Sequence, residues 1–125
     1  MGEPIKVLLV DDDESIRTLL RYSFGADPRF KVVGEAYDGR SAMRAMEVEK
    51  PDVVVLDLVM PLMDGYHAIP QIVMGAPETK ILVLTDADVN ETELMYKGAH
   101  SVRAKNEVLD GYGVMEAAAL LCQPT

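Results

Sequence analysis

Short apolar runs alternate along the chain with segments in which apolar residues recur every three or four positions. The runs at 7–10, 53–56 and 81–84 are apolar throughout, which is typical of strands covered on both faces by helices. A partly charged run at 30–36 and a short one at about 101–104 predict two further strands. The pattern therefore indicates a five-stranded parallel sheet between two layers of helices.

Apolar residues at helical spacing predict the helices between and after these strands. Five helices are predicted, and capping and helix-ending residues mark their limits. They run from after Asp13 to Gly25, from about Gly39 to Glu49, after the turn at Asp64–Gly65, weakly from about Glu91 to Lys97, and from near Asn106 onward. The last would carry an apolar stripe of Val108, Tyr112, Met115 and Ala119. Strands and helices in alternation imply right-handed β-α-β crossovers and a doubly wound, three-layer α/β sandwich.

Length and composition fit one folded domain. The chain has 125 residues, of which 49% are hydrophobic and 26% charged, enough for one hydrophobic core, and we expect a single domain over residues 1–125. No segment approaches the roughly 18 consecutive apolar residues of a membrane span, and the N-terminus has no signal-peptide pattern. The lone cysteine, Cys122, excludes an internal disulfide. We therefore expect a cytoplasmic protein without membrane contact.

The net charge argues against one class of partner. At −9 the chain is acidic, whereas binding to nucleic acid requires clustered Lys and Arg that neutralise phosphates. We therefore expect no direct contact with nucleic acid.

Two of the apolar runs end on aspartate. Asp11, Asp12 and Asp13 follow the first strand, and Asp57 follows the third. The carboxyl ends of parallel strands are where such sheets bind ligands. If the two strands are neighbours, four carboxylates can meet there, and crowded carboxylates need a cation or shared protons. The chain therefore predicts a divalent metal site.

Two more residues fall at the same predicted edge, because Thr85 ends the fourth strand and Lys105 follows the fifth. With the aspartates, they resemble the receiver domains of two-component response regulators, the chemotaxis regulators among them. The resemblance covers essentially the whole chain. It is carried by four motifs: Val10-Asp11-Asp12, Asp57–Gly65, Ile81–Thr85 and Lys105.

The resemblance implies a fold and a phosphorelay function. The fold is flavodoxin-like, with strand order 2-1-3-4-5. Asp57 would take a phosphoryl group from a sensor histidine kinase or a phosphotransfer protein. The cofactor would be Mg²⁺, bound by Asp12, Asp57 and the backbone carbonyl of Val59 directly and by Asp11 mostly through metal-bound water. The metal is needed because a carboxylate attacks phosphorus only when the negative charges are offset. Thr85 and Lys105 would each bind a phosphoryl oxygen and hold the phosphorylated state.

The resemblance also implies an output. The added charge would shift a face formed by the fourth and fifth helices, and this face would bind a downstream protein target, an output domain or a second copy in a homodimer. The protein would catalyse only its own phosphorylation and dephosphorylation. It is therefore not expected to be an enzyme with an external product.

Several positions depart from the family pattern. Asp86 stands where a small uncharged residue is usual, and we expect it to slow phosphorylation. Val102 occupies the switch position, which is usually aromatic, so the output would be relayed without Tyr or Phe. Val59 and Ala87 lie at two positions that govern the lifetime of the phosphoryl group. Neither side chain can orient water, so we expect a long-lived phosphorylated state.

Two other functions are open at this point. A degenerate receiver would bind partners without phosphorylation, which Asp86 and Val102 favour. A phosphatase of the haloacid-dehalogenase type would use Asp11 and Asp13 as its catalytic pair, but Ser15 is unusual for that motif and Asp57 has no role in it. Asp13 is more simply a helix cap.

The two histidines are not part of the predicted site. His67 and His100 have no acidic or cysteine partner at ligand spacing. We expect both at the surface.

Overall fold

A parallel sheet forms the centre of the molecule. The computed structural model describes residues 2–60, 63–86, 89–106 and 112–123. Its sheet has five strands: β1 (Ile5–Val10), β2 (Phe30–Ala36), β3 (Val53–Leu56), β4 (Lys80–Thr85) and β5 (Ser101–Ala104). They lie in the order β2-β1-β3-β4-β5, and every neighbouring pair is parallel. The predicted flavodoxin-like topology is confirmed.

Helices connect and follow these strands. Five lie in the described part of the chain: α1 (Glu14–Gly25), α2 (Gly39–Glu49), α3 (Gly65–Gly75), α4 (Glu91–Lys97) and α5 (Tyr112–Leu121). Asp13 caps α1, since its carboxylate accepts a hydrogen bond from the Ser15 N–H at 2.8 Å. Between β3 and α3, Val59–Met60 pairs antiparallel with Met63–Asp64, a small ribbon before the predicted turn at Asp64–Gly65.

Alternate residues of the central strands face opposite layers. In β1, Leu8 and Val10 belong to a buried cluster with residues of α2, α3 and α4. Val7 and Leu9 belong to a second cluster, with residues of α1 and α5. Each fully buried Val, Leu or Ile side chain contributes roughly 1.5–3 kcal/mol. Packing on both faces therefore fixes the positions at which β1, β3 and β4 end.

The last helix buries a different stripe from the predicted one. Val114, Ala117 and Ala118 are buried in the cluster shared with α1, whereas Met115 and Ala119 are only partly buried beside it. Seven of the eight residues from 114 to 121 are apolar, so the sequence marks no single stripe. Lys105 and Asn106 lie in a 3₁₀ turn. Of the predicted start of this helix, Val108 lies outside the described residues, and so does the side chain of Tyr112.

His100 is only partly exposed, less than the prediction of a surface residue implies, whereas His67 is exposed as expected. The backbone N–H of His100 donates to the Ile81 carbonyl at 2.8 Å, and its ring Nδ1 accepts from the Ile81 N–H at 3.0 Å. Burial, together with the charge of Lys80, lowers the pKa of His100. The neutral ring thus extends the hydrogen bonding between β4 and the segment that leads into β5.

Stability should fall when His100 becomes protonated, because an imidazolium cannot accept the Ile81 hydrogen bond. The pKa is lower in the folded chain, so this stabilisation is complete above the unfolded value of about 6.5 and is lost as pH falls toward the folded value. Asn at this position can accept the bond without titrating. The free energy of unfolding should therefore fall less in His100→Asn than in the unsubstituted protein when the pH is lowered from about 7 to about 5. We expect the difference to be about 1 kcal/mol.

Urea unfolding across that pH range measures the effect, with the exposed His67→Asn as the control. The control should keep the pH dependence of the unsubstituted protein. The interpretation is wrong if His100→Asn keeps it too.

Gly98 ends α4 in close contact with α3. Its φ is +128°, and a Cβ at this position would lie 2.5 Å from Cγ2 of Val73. Both the backbone conformation and the missing side chain are therefore required for α4 to end against α3.

We expect Gly98→Ala to lower the free energy of unfolding by about 2–3 kcal/mol, because it adds a steric overlap to an unfavourable backbone conformation. Gly25→Ala is the matched control, since a Cβ on this last residue of α1 meets no atom within 4 Å. Urea denaturation should show the control to be as stable as the unsubstituted protein or more so. Equal losses in the two variants would contradict the contact.

Candidate functional site

The acidic residues that follow β1 and β3 meet at the carboxyl edge of the sheet. Val10 pairs with Leu56 in the register of the two strands, so Asp11 and Asp57 come next at equivalent positions. The Asp57 N–H donates to the Val10 carbonyl at 2.8 Å, and the Asp11 N–H donates to the Ala36 carbonyl at 3.0 Å. The backbones of both aspartates are therefore held by neighbouring strands.

Three carboxylates form the acidic cluster. Asp11, Asp12 and Asp57 each offer an oxygen, and these oxygens lie within 4.8 Å of one another. Asp11 and Asp57 are 3% and 4% exposed, whereas Asp12 is open to solvent. Hard oxygen donors with one accessible side suit Mg²⁺ or another hard divalent cation. Asp13 is instead engaged as the α1 cap.

Lys105 lies between the two buried carboxylates. Its Nζ is 3.1 Å from Oδ2 of Asp11 and 3.3 Å from Oδ2 of Asp57. Burial opposes the charge of this ammonium, but the two carboxylates outweigh burial, and the pKa of Lys105 is raised. Lys105 is therefore charged at neutral pH and compensates part of the negative charge of the cluster.

Thr85 lies on the same edge, at the end of β4, and is buried. Val83 pairs with Leu56, the residue before Asp57, and Thr85 itself pairs with Ala104, the residue before Lys105. The backbone thus places Thr85 on the strand between Asp57 and Lys105. The following residue, Asp86, is exposed to solvent.

The remaining predicted residues lie around this edge. The backbone of Val59 is paired with Asp64 in the antiparallel ribbon that follows Asp57. Val102 is partly buried against the cluster under α2, α3 and α4, and pairs with Val83. Ala87 lies outside the described residues.

Sequence reasoning missed Arg17. From α1, its guanidinium donates to the backbone carbonyl of Asp11 at 2.7 Å and to Glu35 of β2 at 3.2 Å. The available signal was a charged residue next to Ile16, one helical turn after the Asp13 cap. Its partners are distant in sequence or on the backbone, and such contacts leave no periodic pattern.

The family model of the response regulator receiver domain matches residues 7–109. The chain belongs to this family. The match contains the acidic cluster, Thr85 and Lys105. The haloacid-dehalogenase alternative is not favoured, because the chain has the receiver fold and Asp13 is used as a helix cap.

Two curated relatives and one solved structure illustrate the likeness. A protein-glutamate methylesterase/protein-glutamine glutaminase of Azospirillum brasilense is 40% identical over 94 residues, which are 71% of this chain and 24% of that protein. The uncharacterized transcriptional regulatory protein YhcZ of Bacillus subtilis is 43% identical over 81 residues, which are 65% of this chain and 38% of that protein. The response regulator domain of Thermotoga maritima CheB superposes with a TM-score of 0.83 at 25% identity, covering 98% of this chain and 99% of that one.

The chain therefore spans only about a quarter to two fifths of the length of these curated relatives. Among the described residues, none of the helices has the length and apolar character needed to cross a bilayer.

Removing the ammonium of Lys105 leaves Asp11 and Asp57 without this cation. We expect Lys105→Met to lower the free energy of unfolding near neutral pH by about 2 kcal/mol, and added Mg²⁺ to restore part of the loss by replacing the missing charge. Urea unfolding with and without Mg²⁺ measures both effects.

The control is Lys31→Met on β2, which removes the same charge from an exposed side chain. It should change stability by less than about 1 kcal/mol. A loss in Lys105→Met no larger than in this control would contradict the compensating role.

Proposed function

We propose that Asp57 is the phosphoacceptor of this receiver domain and that a sensor histidine kinase or a phosphotransfer protein is the donor. One observation carries the proposal. Asp57 is a buried carboxylate whose oxygen lies within 4.8 Å of oxygens of Asp11 and Asp12, while its Oδ2 is 3.3 Å from Nζ of Lys105. A nucleophile, a set of metal donors and a cation therefore occupy one edge of the sheet.

Mg²⁺ is the proposed cofactor, with Asp12, Asp57 and the backbone carbonyl of Val59 as its ligands and Asp11 holding it mostly through water. The three carboxylates fit it because they are hard oxygen donors gathered around an open side. When bound, Mg²⁺ offsets the negative charge that keeps a carboxylate and a phosphoryl donor apart.

The chain's own residues then carry out the transfer. A carboxylate oxygen of Asp57 attacks phosphorus, the bond from phosphorus to the donor's imidazole nitrogen breaks, and the electron pair stays on that nitrogen. Thr85 donates its hydroxyl proton in a hydrogen bond to one phosphoryl oxygen. The ammonium of Lys105 moves away from the two carboxylates and binds a second phosphoryl oxygen. The domain acts in this way only on itself and releases no external product.

The output surface is the face formed by α4 and α5. Met95 and Tyr96 of α4 are 47% and 92% exposed, and Leu120 of α5 is 63% exposed. Val102 of β5 packs against the core cluster that contains Leu94 of α4. A movement of β5 therefore reaches α4 without an aromatic switch. We propose that this face binds a downstream target or output domain, or a second copy in a homodimer.

The remaining expectations follow from the same role. Residues 1–125 form one receiver domain of a cytoplasmic signalling pathway. With a net charge of −9, this domain makes no direct contact with nucleic acid. Asp86 is exposed directly after Thr85, and its negative charge is proposed to repel an approaching phosphoryl donor and slow phosphorylation.

Incubation with acetyl phosphate and Mg²⁺ tests the phosphoacceptor directly. We expect a single base-labile phosphoryl group, located on Asp57 by mass spectrometry, that requires Mg²⁺ and is absent from Asp57→Asn. Labelling should fall at least about tenfold in Asp12→Asn. The control Asp13→Asn removes the neighbouring helix-capping carboxylate and should be labelled as the unsubstituted protein is.

Two other results would replace the proposal. Steady release of phosphate that depends on Asp11 and Asp13 would make the protein a phosphatase. Absence of label with both acetyl phosphate and a histidine kinase, in a protein that is folded and binds Mg²⁺, would make it a receiver that works without phosphorylation.

A further inference from the structure

Arg17 joins three elements beside the acidic cluster. Its Nη1 donates to the Asp11 carbonyl at 2.7 Å and its Nε donates to Oε1 of Glu35 at 3.2 Å. The side chain is only 15% exposed. Arg17 lies one turn into α1, where its N–H donates to the Asp13 carbonyl, and helical side chains lean toward the helix N-terminus. The guanidinium therefore reaches back across residues 11–13 and connects β1, α1 and β2.

The Asp11 backbone is held from two elements, and its carbonyl is held from α1 by Arg17. The Asp11 N–H donates to Ala36 of β2, and Oδ1 of Asp11 accepts from the Asp13 N–H at 2.9 Å. The carbonyl lies just past the end of β1, and Arg17 donates to it. Because this carbonyl and the N–H of Asp12 belong to one planar peptide, holding the carbonyl restrains the rotation of that peptide and the position of the Asp12 Cα, from which the carboxylate extends.

We infer that Arg17 is a positioning residue of the metal site, which aims the Asp12 carboxylate at the divalent cation by holding the Asp11–Asp12 peptide. The inference rests on the proposed function, because it requires a cation at Asp11, Asp12 and Asp57. Glu35 orients Arg17 in turn, and also accepts from Nη1 of Arg21 at 2.7 Å.

Two simpler roles for Arg17 predict different results. If Arg17 acted only through its charge, removing it would strengthen Mg²⁺ binding, because one cation fewer would repel the metal. If Arg17 only stabilised the fold, removing it would lower stability and leave the Mg²⁺ affinity unchanged. Only a positioning role predicts weaker Mg²⁺ binding in a protein that remains folded.

Mg²⁺ titration followed by ¹H–¹⁵N NMR measures affinity and folding in the same sample. We expect Arg17→Met, which keeps the apolar stem and removes both donors, to weaken Mg²⁺ binding about tenfold, the lower end of effects seen for residues that orient metal ligands. Arg17→Lys restores one donor and should recover part of the affinity. If Arg17→Met does not fold, Arg17→Gln, which is too short to reach Asp11 and Glu35 together, carries the same expectation.

Arg21→Met is the matched control. It removes the same charge from the same helix and the same partner, Glu35, but from a side chain that is 50% exposed. Its Mg²⁺ affinity should stay within about twofold of the unsubstituted protein.

The dependence of acetyl phosphate labelling on the Mg²⁺ concentration separates a positioning role of Arg17 from a general loss of activity. In Arg17→Met we expect the Mg²⁺ concentration for half-maximal labelling to rise, while the rate at saturating Mg²⁺ stays close to that of the unsubstituted protein. Unchanged or stronger Mg²⁺ binding in folded Arg17→Met overturns the inference and leaves the proposed function intact. No Mg²⁺ binding by the unsubstituted protein overturns both.

Discussion

Repulsion between the buried carboxylates of Asp11 and Asp57 is the constraint on which the rest of the site depends. Two negative charges with exposed fractions of only a few per cent are stable together only if cations share the space. Lys105 provides one such cation, at 3.1 and 3.3 Å. The acidic cluster and its lysine therefore form one electrostatic unit, and any charge that enters or leaves it alters the contacts of Lys105.

This unit needs a rigid support, which the sheet supplies. β1, β3 and β4 are packed on both faces by separate helical layers, so a strand cannot slide without disturbing two clusters of close-packed side chains. The strands end at the residues that carry the chemistry, and hydrogen bonds from Asp11 and Asp57 to neighbouring strands hold their backbones. Hydrophobic packing on both faces of the sheet therefore holds Asp11 and Asp57 in fixed positions although their charges repel each other.

The sequence predicts the parts of this arrangement that depend on local pattern. Apolar runs indicated the central strands, Asp13 and Gly98 marked helix ends, and the strand-end positions of Asp11, Asp57, Thr85 and Lys105 pointed to a shared edge. Patterns failed where a long-range contact decides. The Ile81 hydrogen bond to His100 depends on where β4 lies beside the residue before β5, and the Arg17 contact depends on how α1 lies across β2. In α5, nearly every residue is apolar, so tertiary packing alone selects the buried stripe.

The close approach of Gly98 to Val73 bears on how a movement could spread through the domain. α4 has seven residues, and it is held by Leu94 in the core and by the end that contacts α3. Because the absence of a side chain at Gly98 is what leaves room for Val73, α4 has little space to move toward α3 unless α3 moves as well. The two helices are thus mechanically coupled in that direction. If α4 has two positions and a molecule binds α3 only when α4 is in one of them, that molecule increases the population of that position.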